Sequence, residues 1–305
     1  MSWHSRLRTV PAVLLVGLAI ALQASPLAAL PAPDGPFPPE VRHLVPPPPP
    51  RPTLRIVTFN IHHGDDLPAL IESLRRHPVL CSADIFLLQE IESYPAEGAS
   101  RARQLAQALR MNYAYAPARR TQQGGTHGLA ILSRYPLSDV RVLPLRQFDL
   151  NVHTRRRIAL AATAHVGGHP LRLYNLHLDT RLNPQDRLEQ LRPVVDAARA
   201  HAIAGAVVGG DFNTNPLRWL FHVIPIFRSD QAGAVDDFMR ENGFDTPVAH
   251  AGSTSRKGLL RFRLDSLYSR GVHVQAFGVE RSVEVSDHLP VWIDIRWPPG
   301  PTQTR

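Results

Sequence analysis

The sequence predicts an α/β or α+β domain built from two sheets with outer helices, and three observations lead there. Apolar strand-like runs are mixed with helix-period segments along the chain, which calls for sheets covered by helices. Hairpin-like pairs of strands occur in both halves. Strands repeatedly stop on a carboxylate, an amide or an imidazole, most densely in Val207-Val208-Gly209-Gly210-Asp211-Phe212-Asn213-Thr214-Asn215-Pro216. There two β-branched residues meet two glycines before an acid and an amide, the pattern of a buried strand delivering polar groups to its carboxyl end. Gly209 and Gly210 allow a close approach of the backbone, or angles that other residues avoid.

Taken in order, residues 1–30 hold Arg6 and Arg8, an apolar run from Val10 to Leu22 and the small-residue segment Ala24–Ala29. This is the layout of a secretory signal peptide, with an uncleaved amino-terminal membrane anchor as the alternative. Residues 31–52 include Pro46–Pro50 and read as a stiff polyproline linker that packs no core. The folded domain is then expected over 53–298, with a short tail at 299–305. Leu54–Asn60 alternates and is β-branched, a strand ending on an amide; Leu67–His77 has helical spacing; Asp84–Glu90 is a buried strand ending on an acid. Ala99–Arg110 reads as an amphipathic helix, and 128–133, 158–165 and 171–177 as strands. Asn183-Pro184 caps a helix running to about Ala200, with acids in its early turns. Strand 206–210 is followed by a helical region and then strands near 261–268, 273–279 and 291–297. Asp65 and Asp66 read as a helix cap and a first-turn acid.

The formal charge is +8, almost all of it arginine, since Lys257 is the only lysine. A basic balance favours anionic partners such as phosphates, nucleic acid or lipid head groups. The single Cys81 excludes an internal disulfide and reads as a small buried apolar residue.

Asn60, Glu90, His177, Asp211 with Asn213, and Asp287 with His288 all stand where apolar strands stop. Turn chemistry does not call for Glu or His in such places. Carboxylates and an amide around one cavity suit Mg²⁺, Mn²⁺ or Ca²⁺. Imidazoles in an acidic site can protonate a leaving oxygen or stabilise a developing anion. Together they describe metal-assisted hydrolysis of a phosphoester.

Six segments in order, Thr58-Phe59-Asn60, Leu88-Gln89-Glu90, Asn175-Leu176-His177-Leu178, Gly210-Asp211-Phe212-Asn213, Leu264-Asp265-Ser266 and Ser286-Asp287-His288-Leu289-Pro290, resemble the endonuclease/exonuclease/phosphatase superfamily, the deoxyribonuclease I-like enzymes. The resemblance implies an α+β fold, a four-layer α/β/β/α sandwich with two mainly antiparallel sheets, outer helices and the site at one end. It implies Mg²⁺ or Mn²⁺ at Glu90, with Asn60 and Asp287 completing or supporting the metal site. Asp211 would orient and activate the attacking water, and Asn213 would hold that water or the phosphate. His288 would meet the scissile phosphate with Asp265 fixing its tautomer, and His177 would assist the leaving group. As further substrate contacts, His62 and His63 beside Asn60, and the run Arg155, Arg156 and Arg157 before a strand, are candidates. His127 reads as a loop histidine.

The chain also departs from the branches of that superfamily. The abasic-site nucleases carry an acid where His62 stands and a tyrosine where His177 stands. The deoxyribonuclease branch pairs that histidine with a glutamate, and none occurs between Met111 and Arg134. The inositol-phosphatase pattern around Asp265 is missing too. The segment Arg218–Arg228 is apolar and aromatic between arginines; it either packs as a core helix or dips into a membrane. The expectation is therefore a monomeric exported phosphoesterase, periplasmic or secreted, acting on a phosphodiester or phosphomonoester of nucleic acid or a lipid head group. A secreted nuclease, a phospholipid head-group phosphodiesterase and a non-catalytic binding or toxin-like module are the rivals.

Overall fold

The computed structural model describes residues 37–49, 51–152, 154–227, 229–256 and 261–298. The expected signal or anchor segment, the start of the linker with Pro50, and the tail at 299–305 lie outside the described residues.

Elements follow in the order β1 (Glu40–Arg42), β2 (Leu54–Asn60), α1 (Leu67–Arg76), β3 (Ile85–Ser93), α2 (Arg101–Leu109), β4 (Asn112–Arg120), β5 (Thr126–Ser133) and β6 (Leu137–Pro144). The second half runs β7 (Ile158–Val166), β8 (His169–His177), α3 (Pro184–Ala200), β9 (Ala206–Asp211), β10 (Leu217–Leu220), β11 (Ile224–Phe227) and α4 (Gln231–Glu241). It closes with β12 (Asp265–Arg270), β13 (His273–Val279) and β14 (Val291–Arg296). One sheet has the order β1-β4-β5-β3-β2-β14-β13, the other β12-β9-β8-β7-β6, and β10-β11 stand apart as a hairpin. Each large sheet contains a single parallel pair, β2 with β3 and β8 with β9; the other pairings are antiparallel. A parallel neighbour needs a crossover, supplied by α1 in the first case and α3 in the second.

The layering follows from which way alternate side chains point. Ile56, Leu87, Leu160, Leu173 and Val207 meet in a core between the sheets. Their chain neighbours Val57, Phe86 and Leu88 face out onto α1 and α2 through Leu70, Leu74 and Leu105. Tyr174 and Val208 face out onto α3 and α4 through Leu191, Val194, Val195 and Met239. The strands are buried on both faces, so they read as unbroken apolar runs. This is the expected four-layer α+β arrangement. A side chain at Gly209 would place its Cβ 2.5 Å from Leu267 and 2.8 Å from Leu87, so glycine lets the sheets approach there. At Gly210, with φ +148°, a Cβ would fall 2.0 Å from the Leu176 carbonyl oxygen.

Asp66 caps α1 by accepting from the Ala69 N–H at 3.0 Å, as expected. Asn183 precedes α3 but makes no side-chain cap; its amide pairs with the Trp219 backbone in both directions, at 3.1 and 2.8 Å. Three further expectations need correcting. The linker at 31–52 does not stay off the domain: Glu40–Arg42 pair with β4, and the Leu44 and Val45 N–H groups donate to Asn112 Oδ1. The Glu40 carboxylate accepts from Tyr113 and Ser100, which fixes this edge strand, so the domain begins near residue 40 rather than 53. Arg218–Phe227 is no helix but part of a hairpin, because Leu217–Leu220 alternates buried and exposed and the turn uses left-handed backbone at Phe221 and His222; Arg228 lies outside the described residues. Cys81 is exposed, its thiol resting on the Pro78 carbonyl.

Candidate active site

Both parallel pairs end at the same edge of the sandwich. Asn60 stands opposite Gln89 in one, and His177 opposite Asp211 in the other. Beneath them a buried amide pair stitches the sheets: Gln89 Nε2 donates to Asn175 Oδ1 at 2.7 Å, and Asn175 Nδ2 donates to the Leu88 and Ala130 carbonyls. Above, the Asn60 amide reaches across the gap, donating to Glu90 Oε1 and to Asp211 Oδ2, each at 3.1 Å. A bulge between Gln89 and Ile91 holds Glu90 at φ 58°, a strained angle for a glutamate, and His62 and His63 share positive φ.

His177 Nε2 lies 3.4 Å from Asp211 Oδ2 and 3.9 Å from Glu90 Oε1. His288 Nδ1 is 2.9 Å from Asp265 Oδ2; a carboxylate only accepts, so Nδ1 carries a proton and Nε2 faces Asp211 at 3.8 Å. Thr254 Oγ1 donates to the same Asp265 oxygen. Asn213, at φ 52°, donates its backbone N–H to Asp211 Oδ1 and its amide to the Leu178 carbonyl. The Ser286 hydroxyl donates to the Asn60 carbonyl, which seats Asp287 and His288 against β2. Buried Arg187 ties the two loops of the second sheet, donating to the Asp179, Leu182 and Phe212 carbonyls.

The electrostatics divide this cluster. Burial alone would raise the Glu90 carboxyl, but His127, His63 and the Asn60 amide outweigh it and bring it down to about 2. Burial pushes Asp211 up to about 7, the opposing pull of His288 being offset by Asp265. His288 rises to about 10, because Asp265 and Asp211 outweigh the burial that opposes its charge. Burial, then the charge of Arg157, keeps His177 well below the usual imidazole range.

The donors fit a hard divalent cation. Glu90 is anionic across the working pH range, and Asp287 Oδ1 is a buried oxygen with no hydrogen-bond partner among the described residues. Such an oxygen is costly unless an ion or water satisfies it.

Of the expected residues, Asn60, Glu90, His177, Asp211, Asn213, Asp265 and His288 are brought together by these contacts, with Asp287 beside them. His62 is exposed; its backbone N–H donates to Asn60 Oδ1 at 3.1 Å, and its ring lies 5.2 Å from that of His63. His63 lies 3.5 Å from Glu90 Oε2. Arg157 is ion-paired with Asp179 at 2.7 Å, and Arg156 donates to the Ala118 carbonyl. His127 is not a loop residue: it is buried in β5, opposite Glu92. Arg155, of the expected 155–157 run, is near Arg157 and Glu90, whereas Arg119 and Glu92 carry no expectation from the sequence. Burial first, then the neighbouring charges of Arg155 and Arg157, lower Arg119 to about 10. The signal for Glu92 was present in the sequence, two acids two apart in one strand.

A family model described as the Endonuclease/Exonuclease/phosphatase family matches residues 57–288. The chain belongs to that family. Its members are metal-dependent hydrolases of phosphoester bonds, and this chain is one of them. No curated protein matched in a separate search. Among solved structures, the chain is similar to an endonuclease/exonuclease/phosphatase from Beutenbergia cavernae DSM 12333, at 22% identity and a TM-score of 0.65, covering 84% of this chain and 74% of that one. It is also similar to the human Nocturnin catalytic domain with bound sulfate, at 17% identity and a TM-score of 0.61, covering 81% and 96%. D. rerio TDP2 complexed with single-strand DNA product follows at 17% identity and a TM-score of 0.57, covering 80% and 99%. These likenesses establish the family fold.

Proposed function

We propose that the protein is an exported phosphodiesterase whose substrate is presented at a lipid surface. The hydrolytic part of this reading is supported by the Asn60 amide joining Glu90 to Asp211, which sets a metal carboxylate beside a proton acceptor. Mg²⁺ or Mn²⁺, held by Glu90, Asn60 and Asp287, would supply charge stabilisation for the phosphoryl oxygens. Asp211, with its pKa near neutrality, accepts a proton from the attacking water, and Asn213 holds the water or the phosphate. His288, kept protonated by Asp265, donates a hydrogen bond to a phosphoryl oxygen. His177, neutral at working pH, would donate a hydrogen bond to the leaving oxygen, and Arg157 with Arg119 and Arg155 makes that side of the site attractive to an anion. The apolar run at Val10–Leu22 supports export.

The observation that carries the lipid part is the β10–β11 hairpin. It leaves the Asp211–Asn215 loop directly and is tied to the loop after His177 through Asn183 and the Arg181 carbonyl. Its inner side is anchored by Trp219, only 6% exposed, while Leu220, Phe221, Ile224 and Ile226 are 44, 73, 53 and 48% exposed. Four large apolar side chains beside a site mouth favour an interfacial position. The arginine cluster favours a second reading, a secreted nuclease. Full-length protein with Mg²⁺, with EDTA as control, should turn over phospholipid vesicles and leave plasmid DNA intact. Replacing Phe221 and Ile224 by Ser should weaken vesicle binding about tenfold or more, at roughly 1 kcal/mol or more for each buried side chain, while a soluble phosphodiester is cleaved as before. Plasmid nicking without lipid turnover, or vesicle binding unmoved by the double substitution, would overturn the lipid reading and leave the hydrolase intact.

A further inference from the structure

We propose that His63, Glu92 and His127 form a second cation site, suited to a transition metal such as Zn²⁺, alongside the oxygen-donor centre at Glu90. Two imidazoles and one carboxylate are a borderline-soft donor set, distinct in kind from the carboxylates and amide next to them. Glu92 and His127 face each other across the β3–β5 ladder, and His63 is brought over them by the left-handed turn that follows Asn60, its ring 5.5 Å from that of His127. One donor atom from each residue lies within 4.8 Å of the other two.

The spacing distinguishes a metal site from a chain of hydrogen bonds. His63 Nδ1 is 3.2 Å and His127 Nδ1 is 3.4 Å from Glu92 Oε1. Those lengths are at or beyond the outer limit of an N–H···O bond. Ligands about 2.0–2.1 Å from a tetrahedral ion stand about 3.3–3.4 Å apart, close to the separation of each imidazole from Glu92 Oε1. His63 Nδ1 is also buried and makes no hydrogen bond among the described residues. The other atom of two of the ligands is already oriented. Glu92 Oε2 accepts from the Tyr94 hydroxyl at 2.5 Å, and His63 Nε2 points at Glu90 Oε2, the carboxylate behind a histidine that metal ligands commonly have. Arg119, opposite His127 in the β4–β5 ladder, and Arg157 oppose a cation; Glu90 and Glu92 offset them, and Arg157 is already paired with Asp179. Three protein ligands leave a fourth position for water or another small donor. A bound ion would fix the 62–64 turn to the sheet and, through His63, hold the Glu90 carboxylate in place.

The proposal does not depend on what the enzyme hydrolyses, and its test reads metal binding. Full-length protein without a polyhistidine tag, stripped with chelator and held in saturating Mg²⁺, is titrated with Zn²⁺ by calorimetry and with Co²⁺ by visible absorption. One Zn²⁺ per chain should bind, with the intense absorption of four-coordinate Co²⁺ as its counterpart. His127→Gln and Glu92→Gln should each weaken Zn²⁺ by at least about tenfold and bleach the Co²⁺ bands, whereas Asp211→Asn should change neither. Half-exposed His63→Gln gives the same readout should a change at buried His127 fail to fold. Absence of Zn²⁺ binding in Mg²⁺, or loss of it in Asp211→Asn with His127→Gln unaffected, would overturn the proposal; the latter would place the ion on Asp211, Asp265 and His288.

Discussion

The carboxyl ends of the two parallel pairs use the same construction and reach opposite electrostatic results. At the β2–β3 end, a bulge pushes Glu90 out of the ladder toward histidines and an amide, and its carboxyl falls to about 2. At the β8–β9 end, Asp211 stays in register opposite His177, fully enclosed, and its carboxyl rises to about 7. A permanent anion suits a cation; an acid near neutrality suits proton transfer. The two ends meet on the Asn60 amide, which touches both carboxylates. Identical topology therefore does not fix a residue's role. The bulge and the company it brings do.

Removing one acid from each end tests that division, and the two losses should differ in kind. Asp211→Asn should lower kcat about 10³-fold at any metal concentration, the size expected for a lost general base. Glu90→Gln should also be severely impaired, but part of its activity should return as Mg²⁺ is raised, because what it loses is cation affinity. Equal recovery of both variants in a metal titration would erase the distinction. In wild type, log kcat/KM should rise with pH through a limb near 7 that Asp211→Asn lacks. Next in size, Gly210→Ala should cost about 3 kcal/mol in urea unfolding, since its Cβ would meet the Leu176 carbonyl at 2.0 Å and the angle is strained as well. An unchanged midpoint would mean that the two strands can part without cost.

Much of this was legible in the sequence where a single strand carries the message. Ile56-Val57-Thr58-Phe59-Asn60 and Val207–Asp211 declare a buried strand and the polar group at its end without reference to any partner. The helix at Leu67–Arg76 is marked by its Asp66 cap and spacing, and the one at Pro184–Ala200 by the first-turn Pro184 and spacing. What was not legible depends on pairing. β1 has three residues and only its β4 register makes it a strand. β4 ends in Pro117, Arg119 and Arg120 around a bulge, and β6 is an exposed edge whose burial does not alternate, so neither showed a period. The Gln89–Asn175 stitch and the Glu92–His127 pair join residues 86 and 35 positions apart, and no local pattern predicts such a meeting. For Trp219 and Phe221 the sequence leaves core packing and membrane contact open, because an aromatic side chain suits both. Only the turn at Phe221–His222 decides that one faces in and the other out.

The smallest effect bears most directly on the comparison. Asp211 has a folded-state pKa raised above its unfolded value, from 3.8 to about 7. Between those values the folded protein holds a proton that the unfolded chain has released, so stability falls as pH rises through the window. Above about 7 the folded protein carries a buried anion, and the full shift corresponds to about 4 kcal/mol. Asp211→Asn carries no such charge. It does lose the acceptor for Asn60 and Asn213, and it withdraws one of the carboxylates that hold His288 protonated, so roughly half of that difference should survive. In EDTA at pH 8 the variant should therefore unfold at higher urea, by about 2 kcal/mol, and the order should reverse toward pH 4 as the parent regains its protonated Asp211. An inactive variant more stable than its parent would show that the β8–β9 end is strained for proton transfer. A wild type more stable at pH 8 would show Asp211 to be a satisfied anion like Glu90, and the two ends to be alike after all.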